Sequence, residues 1–571
     1  MFSVQPTAVF RIATMFNLAG GGGNVQGYNA DFTWVAFFCC LIAASGGALF
    51  GYDNGVMGGV TSMDGFLDKF FPSIKKREAE TPTVHNLYCQ YNSQTLQLMT
   101  SSLFIAGALC ELSGTTAWLS RNHGRKRVMM YSGALFMVAA IILACAEHIS
   151  VIVIGRVFQG VAISFASVSV PIYNSEMAPP HLRGRFNQLY QIILTLFILV
   201  AQVINLIINL TNAVRWGWRL SLGFAFVPSS VLFLGGIFLP DSPNSLLERG
   251  FPEQARKNLE YVRGRKDVDK EFNDLVEAAH IASQCKNPWG TIFSKKYWPQ
   301  LVLSAFSTTF QQWTGINTLI FYAPQLFLAL GTTKNISLIA AIILGACNHL
   351  STYVAWWTAD IFGRKTLFLQ AGFQMAGALI VVAVSLKCLG QQGVWMAWYI
   401  LAIICVYDMA YAWSWGPLGW LYPTEIQTLE TRSCGLAVAS FCNLLFSAVI
   451  AQTFLTMLCS LQWGTFLFFA CCVIVETILV ALLFVEPKAV PIEDCPFLFK
   501  KHWFWKRYAS RGLGYQEKAV LMKKIESAKA RGEAPPDEPG MQQILAELKN
   551  ASTVSEISTS EHLVGLPDKQ L

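Results

Sequence analysis

The stretch Arg121-Asn122-His123-Gly124-Arg125-Lys126-Arg127 sets a knot of positive charge between two apolar runs, near 95–120 and 127–147. A run of about twenty apolar residues is the length that crosses a bilayer as a helix. Short loops rich in Lys and Arg stay on the cytosolic side of such crossings. The same character returns at Pro179-Pro180-His181-Leu182-Arg183-Gly184-Arg185, at Phe362-Gly363-Arg364-Lys365 and at Lys500-Lys501-His502-Trp503-Phe504-Trp505-Lys506-Arg507, which places these segments on one face. The wording of the loops also repeats. Gly124-Arg125-Lys126 recurs as Gly363-Arg364-Lys365, while Ser175-Glu176-Met177-Ala178 with Arg183-Gly184 recurs as Pro423-Thr424-Glu425-Ile426 with Arg432-Ser433. Such a repeat predicts an all-α membrane protein built of two pseudo-symmetric six-helix halves with a site between them.

Counting outward from these loops gives twelve candidate transmembrane helices, near 32–58, 95–120, 127–147, 151–174, 187–210, 218–239, 299–328, 335–358, 365–387, 394–423, 432–458 and 462–485. Composition agrees: 53% of the 571 residues are hydrophobic and 13% charged, too apolar for a soluble multidomain chain. The net charge of +7 sits in the inter-helix loops, so no nucleic-acid partner is expected. The expected division is a cytosolic N-terminal segment at 1–31, a first half at 32–239 with an external loop at about 60–94, a linker at 240–298, a second half at 299–485 and a cytosolic tail at 486–571. The linker is cytosolic and helical, with Ala255, Leu259 and Val262 at helical spacing, and the polar tail turns disordered towards its end.

The residues up to Ala30 lack the basic and apolar regions of a cleaved signal peptide. None of the 15 cysteines makes a paired CxxC spacing, so neither a metal site nor a cofactor is expected. Cys89 and Cys459 both fall on the oxidising outer face, where a disulfide between them is allowed. Asn209-Leu210-Thr211 and Asn335-Ile336-Ser337 are glycosylation sequons, close enough to helix ends that low occupancy is expected.

Two groups of residues carry chemistry. Thr309-Phe310-Gln311-Gln312-Trp313-Thr314-Gly315-Ile316-Asn317 places three amides in a lipid-compatible segment. Read as one helix, Gln311 and Asn317 lie some 120° apart, with Gln312 about 100° to the other side of Gln311, giving a broad polar face. An unpaired amide costs several kcal/mol in hydrocarbon, so this face must meet protein or a water-filled cavity, where amides can hold a ligand rich in hydroxyls or bind helices together. Asp53, in the first helix, is an intramembrane acid, and Arg156 in the fourth helix is its natural counter-ion.

From about Phe32 to Trp505 the chain resembles the sugar porter branch of the major facilitator superfamily, above all the proton-coupled monosaccharide symporters of plants and green algae. The resemblance rests on Gly51-Tyr52-Asp53-Asn54-Gly55 through Met63, the two Gly-Arg-Lys loops, Leu239-Pro240-Asp241-Ser242-Pro243, the Gln-Gln stretch and Ala412-Trp413-Ser414-Trp415-Gly416-Pro417-Leu418-Gly419-Trp420. It implies alternating access around a central sugar held by Gln191, Gln311, Gln312, Asn317, Asn348, Gly416, Trp420 and Asn443. It implies proton coupling through Asp53 and Arg156, and a cytosolic latch from Arg125, Glu176, Arg183, Arg364, Glu425 and Arg432. The expected partners are a monosaccharide such as glucose, a proton and the lipid bilayer, with a monomer working in the plasma membrane, both termini cytosolic, and no enzymatic activity. A passive facilitator and a non-transporting sugar sensor stand as alternatives. Ser167, Val168, Glu111, Asp408 and His349 depart from the family pattern, as does Val485-Glu486-Pro487-Lys488-Ala489 after the last helix.

Overall fold

The computed structural model describes residues 32–509, apart from 80–87, 180–181, 212–215, 286, 390–393, 429, 489 and 491–494, together with scattered positions from 520 to 541. The N-terminal segment 1–31 and most of the tail lie outside the described residues.

Among the described residues, eleven helical stretches are long and apolar enough to cross a membrane. The passes are numbered in chain order: first Trp34–Val60, second Gln94–Leu112, third Arg125–Ala144, fourth Ile149–Met177, fifth Arg183–Leu210, sixth Gly217–Phe238, eighth Lys334–Phe362, ninth Arg364–Leu389, tenth Val394–Ile426, eleventh Arg432–Leu461 and twelfth Gly464–Leu483. The seventh pass is two helices, Trp298–Trp313 and Ile316–Ala329, each too short to count alone. Twelve passes result, but the seventh does not form the single helix expected from its apolar length. Gly315, at φ +87°, ends the first piece, and a Cβ there would also lie 2.8 Å from the Phe469 ring of the twelfth pass. Only glycine meets both demands. The tenth pass breaks likewise, at Ser414, into Val394–Ala412 and Trp415–Ile426.

Between the sixth and seventh passes run the helices Pro243–Glu248, Pro252–Arg263, Asp269–Gln284 and Pro288–Ile292. Ala255, Leu259 and Val262 form a buried stripe, as their spacing predicts. Arg263 fastens this segment to the fourth pass by donating to the carbonyls of Met177 (2.9 Å) and Ala178 (3.2 Å), and within the linker it donates to Glu271 (2.8 Å).

The first and fifth passes pack backbone against backbone. Gly47, Gly51 and Gly55 recur every fourth residue, and a Cβ on each would fall on the carbonyl of Tyr190, Leu194 or Ile198. Small residues at this spacing let two backbones touch in lipid. This places Asp53, between Gly51 and Gly55, deep in the bundle. Gly51→Ala is expected to cost about 1–3 kcal/mol through overpacking and to lower the melting midpoint of the purified protein. Gly377→Ala, where a Cβ meets nothing within 4 Å, should leave the midpoint unchanged or raise it.

Candidate functional site

The break in the seventh pass corrects the helical-wheel reading of its amides. Gln311 and Gln312 end one helix, Asn317 begins the next, and the turn at Gly315 brings them together. Asn317 Nδ2 donates to Gln312 Oε1 and to Ser447 Oγ (3.3 Å). Gln311 Nε2 donates to the carbonyls of Trp415 and Gly416, each at 2.9 Å, at the point where the tenth pass is also broken. Gln311 Oε1 accepts from Asn443 Nδ2 at 2.8 Å. Tyr407 Oη donates to the Thr314 carbonyl at 2.7 Å, occupying an acceptor that the break frees. The two interruptions therefore hold each other through side chains that reach across them.

These residues surround a central cavity of about 30 Å³, lined by Gln191, Gln311, Gln312, Asn317, Asn348, Trp420 and Asn443 together with Phe50, Asn54, Leu194, Thr195, Ile198, Ile320 and Tyr411. Seven of the eight residues expected at a sugar site thus meet in one place. The eighth, Gly416, does not border the cavity: its carbonyl is held by Gln311, and a Cβ there would approach Gln191 Nε2 to 3.2 Å. Its missing side chain leaves room for Gln191 and Tyr411. A volume of this size holds about two waters, so a six-membered ring must part amides that now bond one another. Each amide offers both donors and an acceptor, which suits hydroxyls that do the same, and Trp420 supplies an apolar face beside Tyr190.

Asp53 and Arg156 form a direct ion pair, each about 1% exposed. Arg156 also donates to the carbonyls of Met99 (3.3 Å) and Thr100 (3.2 Å) and to Gln159 (3.3 Å), while Asp53 Oδ2 has no hydrogen-bond partner. The neighbouring Asn54 lines the central cavity, and Tyr322 of the seventh pass lies within electrostatic reach of Arg156.

Contacts between the halves close both faces. On the basic face, Arg125 pairs with Glu176 (3.1 Å) and Arg364 with Glu425 (2.6 Å) inside their own halves, and Arg432 crosses to donate to Ser175 (3.0 Å). Arg183 makes no ion pair among the described residues; Arg185 reaches Asp360 across the seam instead, at 3.8 Å. Side chains two positions apart on a helix point about 200° from each other, so only one of these arginines can face the other half. Glu248, which pairs with Arg125 at 2.7 Å, and Asp360 belong to this network and have no motif in the loops to mark them.

On the opposite face, Cys89 and Cys459 form a disulfide, Gln325 donates to the Gly58 carbonyl (3.0 Å) and to Thr61 (2.6 Å), and Lys334 pairs with Asp64 (2.6 Å). Burial alone would lift the Asp64 carboxyl, but Lys334 and Lys75 outweigh it and hold the group below the usual carboxylate range. The clasp is therefore complete above that range and fades only as pH falls through the lowered value. The two sequon residues Asn209 and Asn335 hydrogen-bond each other at 2.7 Å.

Of the residues that depart from the family pattern, Glu111 accepts from Ser440 (3.1 Å), Asp408 accepts from Asn348 (2.6 Å), and His349 hydrogen-bonds Thr195 (3.1 Å). Ser167 bonds the Ile163 carbonyl and Val168 packs on Ile172 and Leu436; neither lines the cavity. Glu486 accepts from the backbone of Arg364 and Lys365 at 3.0 and 2.8 Å. Sequence reading passed over Glu476 in the twelfth pass, fully buried with neither carboxyl oxygen hydrogen-bonded; its signal was an acid in the middle of an apolar run.

Residues 39–499 match the family described as "Sugar (and other) transporter". The chain is 44% identical over 490 residues to "Sugar transport protein 4" of Arabidopsis thaliana, covering 85% of this chain and 94% of that one. It is 43% identical over 502 residues to "H(+)/hexose cotransporter 2" of Parachlorella kessleri, covering 87% and 90%. Its fold is similar to a structure of the major facilitator superfamily proton:xylose symporter XylE bound to 6-bromo-6-deoxy-D-glucose, with a TM-score of 0.69 and 23% identity over 81% of this chain and 98% of that one.

Gln311→Leu leaves two carbonyls and the Asn443 amide without their present partners. At about 1–3 kcal/mol per group left unsatisfied, the melting midpoint of the purified protein should fall further than in Gln312→Ala, which removes one of the two acceptors of the Asn317 amide and leaves it Ser447.

Proposed function

The chain belongs to the sugar transporter family, and we propose that it imports a hexose such as glucose together with a proton, by alternating access around the central cavity. Residues 32–239 and 299–485 are the moving halves in this reading, and 240–298 is the linker. The basic loops set the plasma-membrane orientation with both termini in the cytosol, and a monomer contains the whole path. The observation that carries the reading is the fully buried Asp53–Arg156 pair next to a cavity walled by converging amides.

The steps follow from what each group can do. Ionised Asp53 is held by Arg156 in the first half. A proton arriving from the outside neutralises the carboxylate and weakens that bond, so the first and fourth passes can adjust against sugar held by the second half. Sugar hydroxyls replace the bonds that the amides make to each other; each net bond contributes only about 0.5–1.5 kcal/mol, so several must act together to reach micromolar to millimolar affinity. The outer contacts close, the basic-face network parts, and sugar and proton leave to the cytosol. A proton moving inward down the membrane potential supplies about 2.3 kcal/mol per 100 mV, enough for a gradient of a few tens-fold in sugar. Arg125, Glu176, Arg364, Glu425 and Arg432, joined by Arg185 and Asp360, bias the bundle towards the state open to the outside.

Two variants separate holding from driving. Gln312→Ala should raise the half-saturating hexose concentration about tenfold, a loss of about 1.4 kcal/mol, and leave proton dependence intact in uptake assays. Asp53→Asn should abolish uphill accumulation and retain exchange of labelled for unlabelled hexose. Accumulation undiminished in Asp53→Asn would remove the pair from the driving step.

A further inference from the structure

Asp408 lies in the middle of the tenth pass, 3% exposed, where the resemblance gives it no role. Its Oδ1 accepts from Asn348 Nδ2 at 2.6 Å, its Oδ2 has no hydrogen-bond partner, and Asn348 Oδ1 has none either. Among the described residues it forms no ion pair with a Lys or Arg, unlike Asp53. Asn348 lines two cavities. One is the central cavity; the other is a small one of about 10 Å³ bordered by Asp408 and Gln202. A further cavity of similar size, bordered by Gln202, Asn205, Gly58 and Gly59, continues towards the disulfide face. Each is roughly the size of one water, and Gln202 Oε1, which stands between them, is itself without a hydrogen-bond partner. On otherwise mainly apolar walls, Asn205 and Gln202 thus set polar groups in steps from the outer seam towards a lone buried carboxylate that grips a wall of the central cavity.

We propose that Asp408 is a second proton-carrying group, in the half of the transporter opposite Asp53, and that its protonation strengthens sugar binding through Asn348. The proposal rests on the central cavity being the sugar site. Ionised Asp408 occupies one of the two N–H donors of Asn348 and needs the neighbouring cavity to stay wet. Closure around sugar expels that water, which makes the bare charge costly and favours taking up a proton from the outer path onto a carboxyl oxygen. By linkage the proton then raises sugar affinity by the same factor. On opening to the opposite face the carboxyl rehydrates, returns its proton to water and draws the Asn348 amide back.

The other titratable groups facing Asp408 are few. Cys405, Tyr407 and Tyr411 lie within its reach on its own pass. From the eighth pass Cys347 faces Cys405, while His349 turns to Thr195 and Tyr353. Glu476 of the twelfth pass faces Tyr407 and Tyr411.

The test is equilibrium binding of labelled glucose to the purified full-length protein in lipid nanodiscs, in an Asp53→Asn background that removes the first proton site. Affinity should weaken at least about fivefold between about pH 5 and about pH 8. Adding Asp408→Asn, a neutral side chain of the same shape, should hold affinity at its acid value throughout. A flat profile in Asp53→Asn, or the same slope after Asp408→Asn is added, overturns the proposal. If the double variant does not fold, infrared difference spectra of Asp53→Asn decide: glucose binding must add a protonated-carboxyl carbonyl band, and no added band overturns it. Loss of Gln312-dependent glucose binding at every pH would instead defeat the sugar-site reading beneath it.

Discussion

A polar group inside a bilayer is costly to leave bare, and the two broken passes of this molecule are arranged to meet that demand. In the seventh pass the demand is doubled, because the turn at Gly315 frees backbone groups in the same place where three amides enter the apolar layer. The tenth pass answers with a break of its own, so that Gln311 spans to the Trp415 and Gly416 carbonyls while Tyr407 takes the Thr314 carbonyl. Two broken helices support each other, and the remaining amide capacity is turned towards the central cavity. The energy is modest per bond, about 1 kcal/mol net, yet the cost of leaving any member unpaired makes the arrangement strongly specified.

The same demand explains the division of labour between the halves. In the first half a charge is balanced by a charge: Asp53 meets Arg156, whose other donors go to the Met99 and Thr100 carbonyls and to Gln159. In the second half neutral amides are balanced by one another, through Gln312 with Asn317 and Gln311 with Asn443. In the proposed cycle the charged pair responds to the proton and the amides respond to hydroxyls. Asp53 adjoins Asn54, which lines the cavity that the amides wall, so each ligand would change what the other finds there, and the contacts that close both faces are the parts a rocking motion must break in turn.

Much of this was legible in the chain. Apolar length located the passes, and the two Gly-Arg-Lys loops exposed the repeat. The cost of intramembrane polar groups singled out Asp53, Arg156 and the amides. Periodicity could not reveal that the seventh pass is broken, because the cause lies partly in the Phe469 ring, a contact from the twelfth pass. Nor could it distinguish Arg183 from Arg185, since the choice depends on how the fifth pass is rotated. Gly416 was assigned to the ligand by motif, whereas its position behind Gln191 follows only from packing. Glu476 was within reach of the rule that found Asp53 and was missed because no motif surrounds it.

Coupled movement of the two ligands is the central claim, and it can be measured without any variant. Purified protein in proteoliposomes that hold a pH-sensitive dye should take up protons when hexose is added outside, in the absence of an imposed gradient, and a proton-permeant uncoupler should abolish the signal. Hexose entry with no accompanying proton movement would contradict the account and leave a passive carrier.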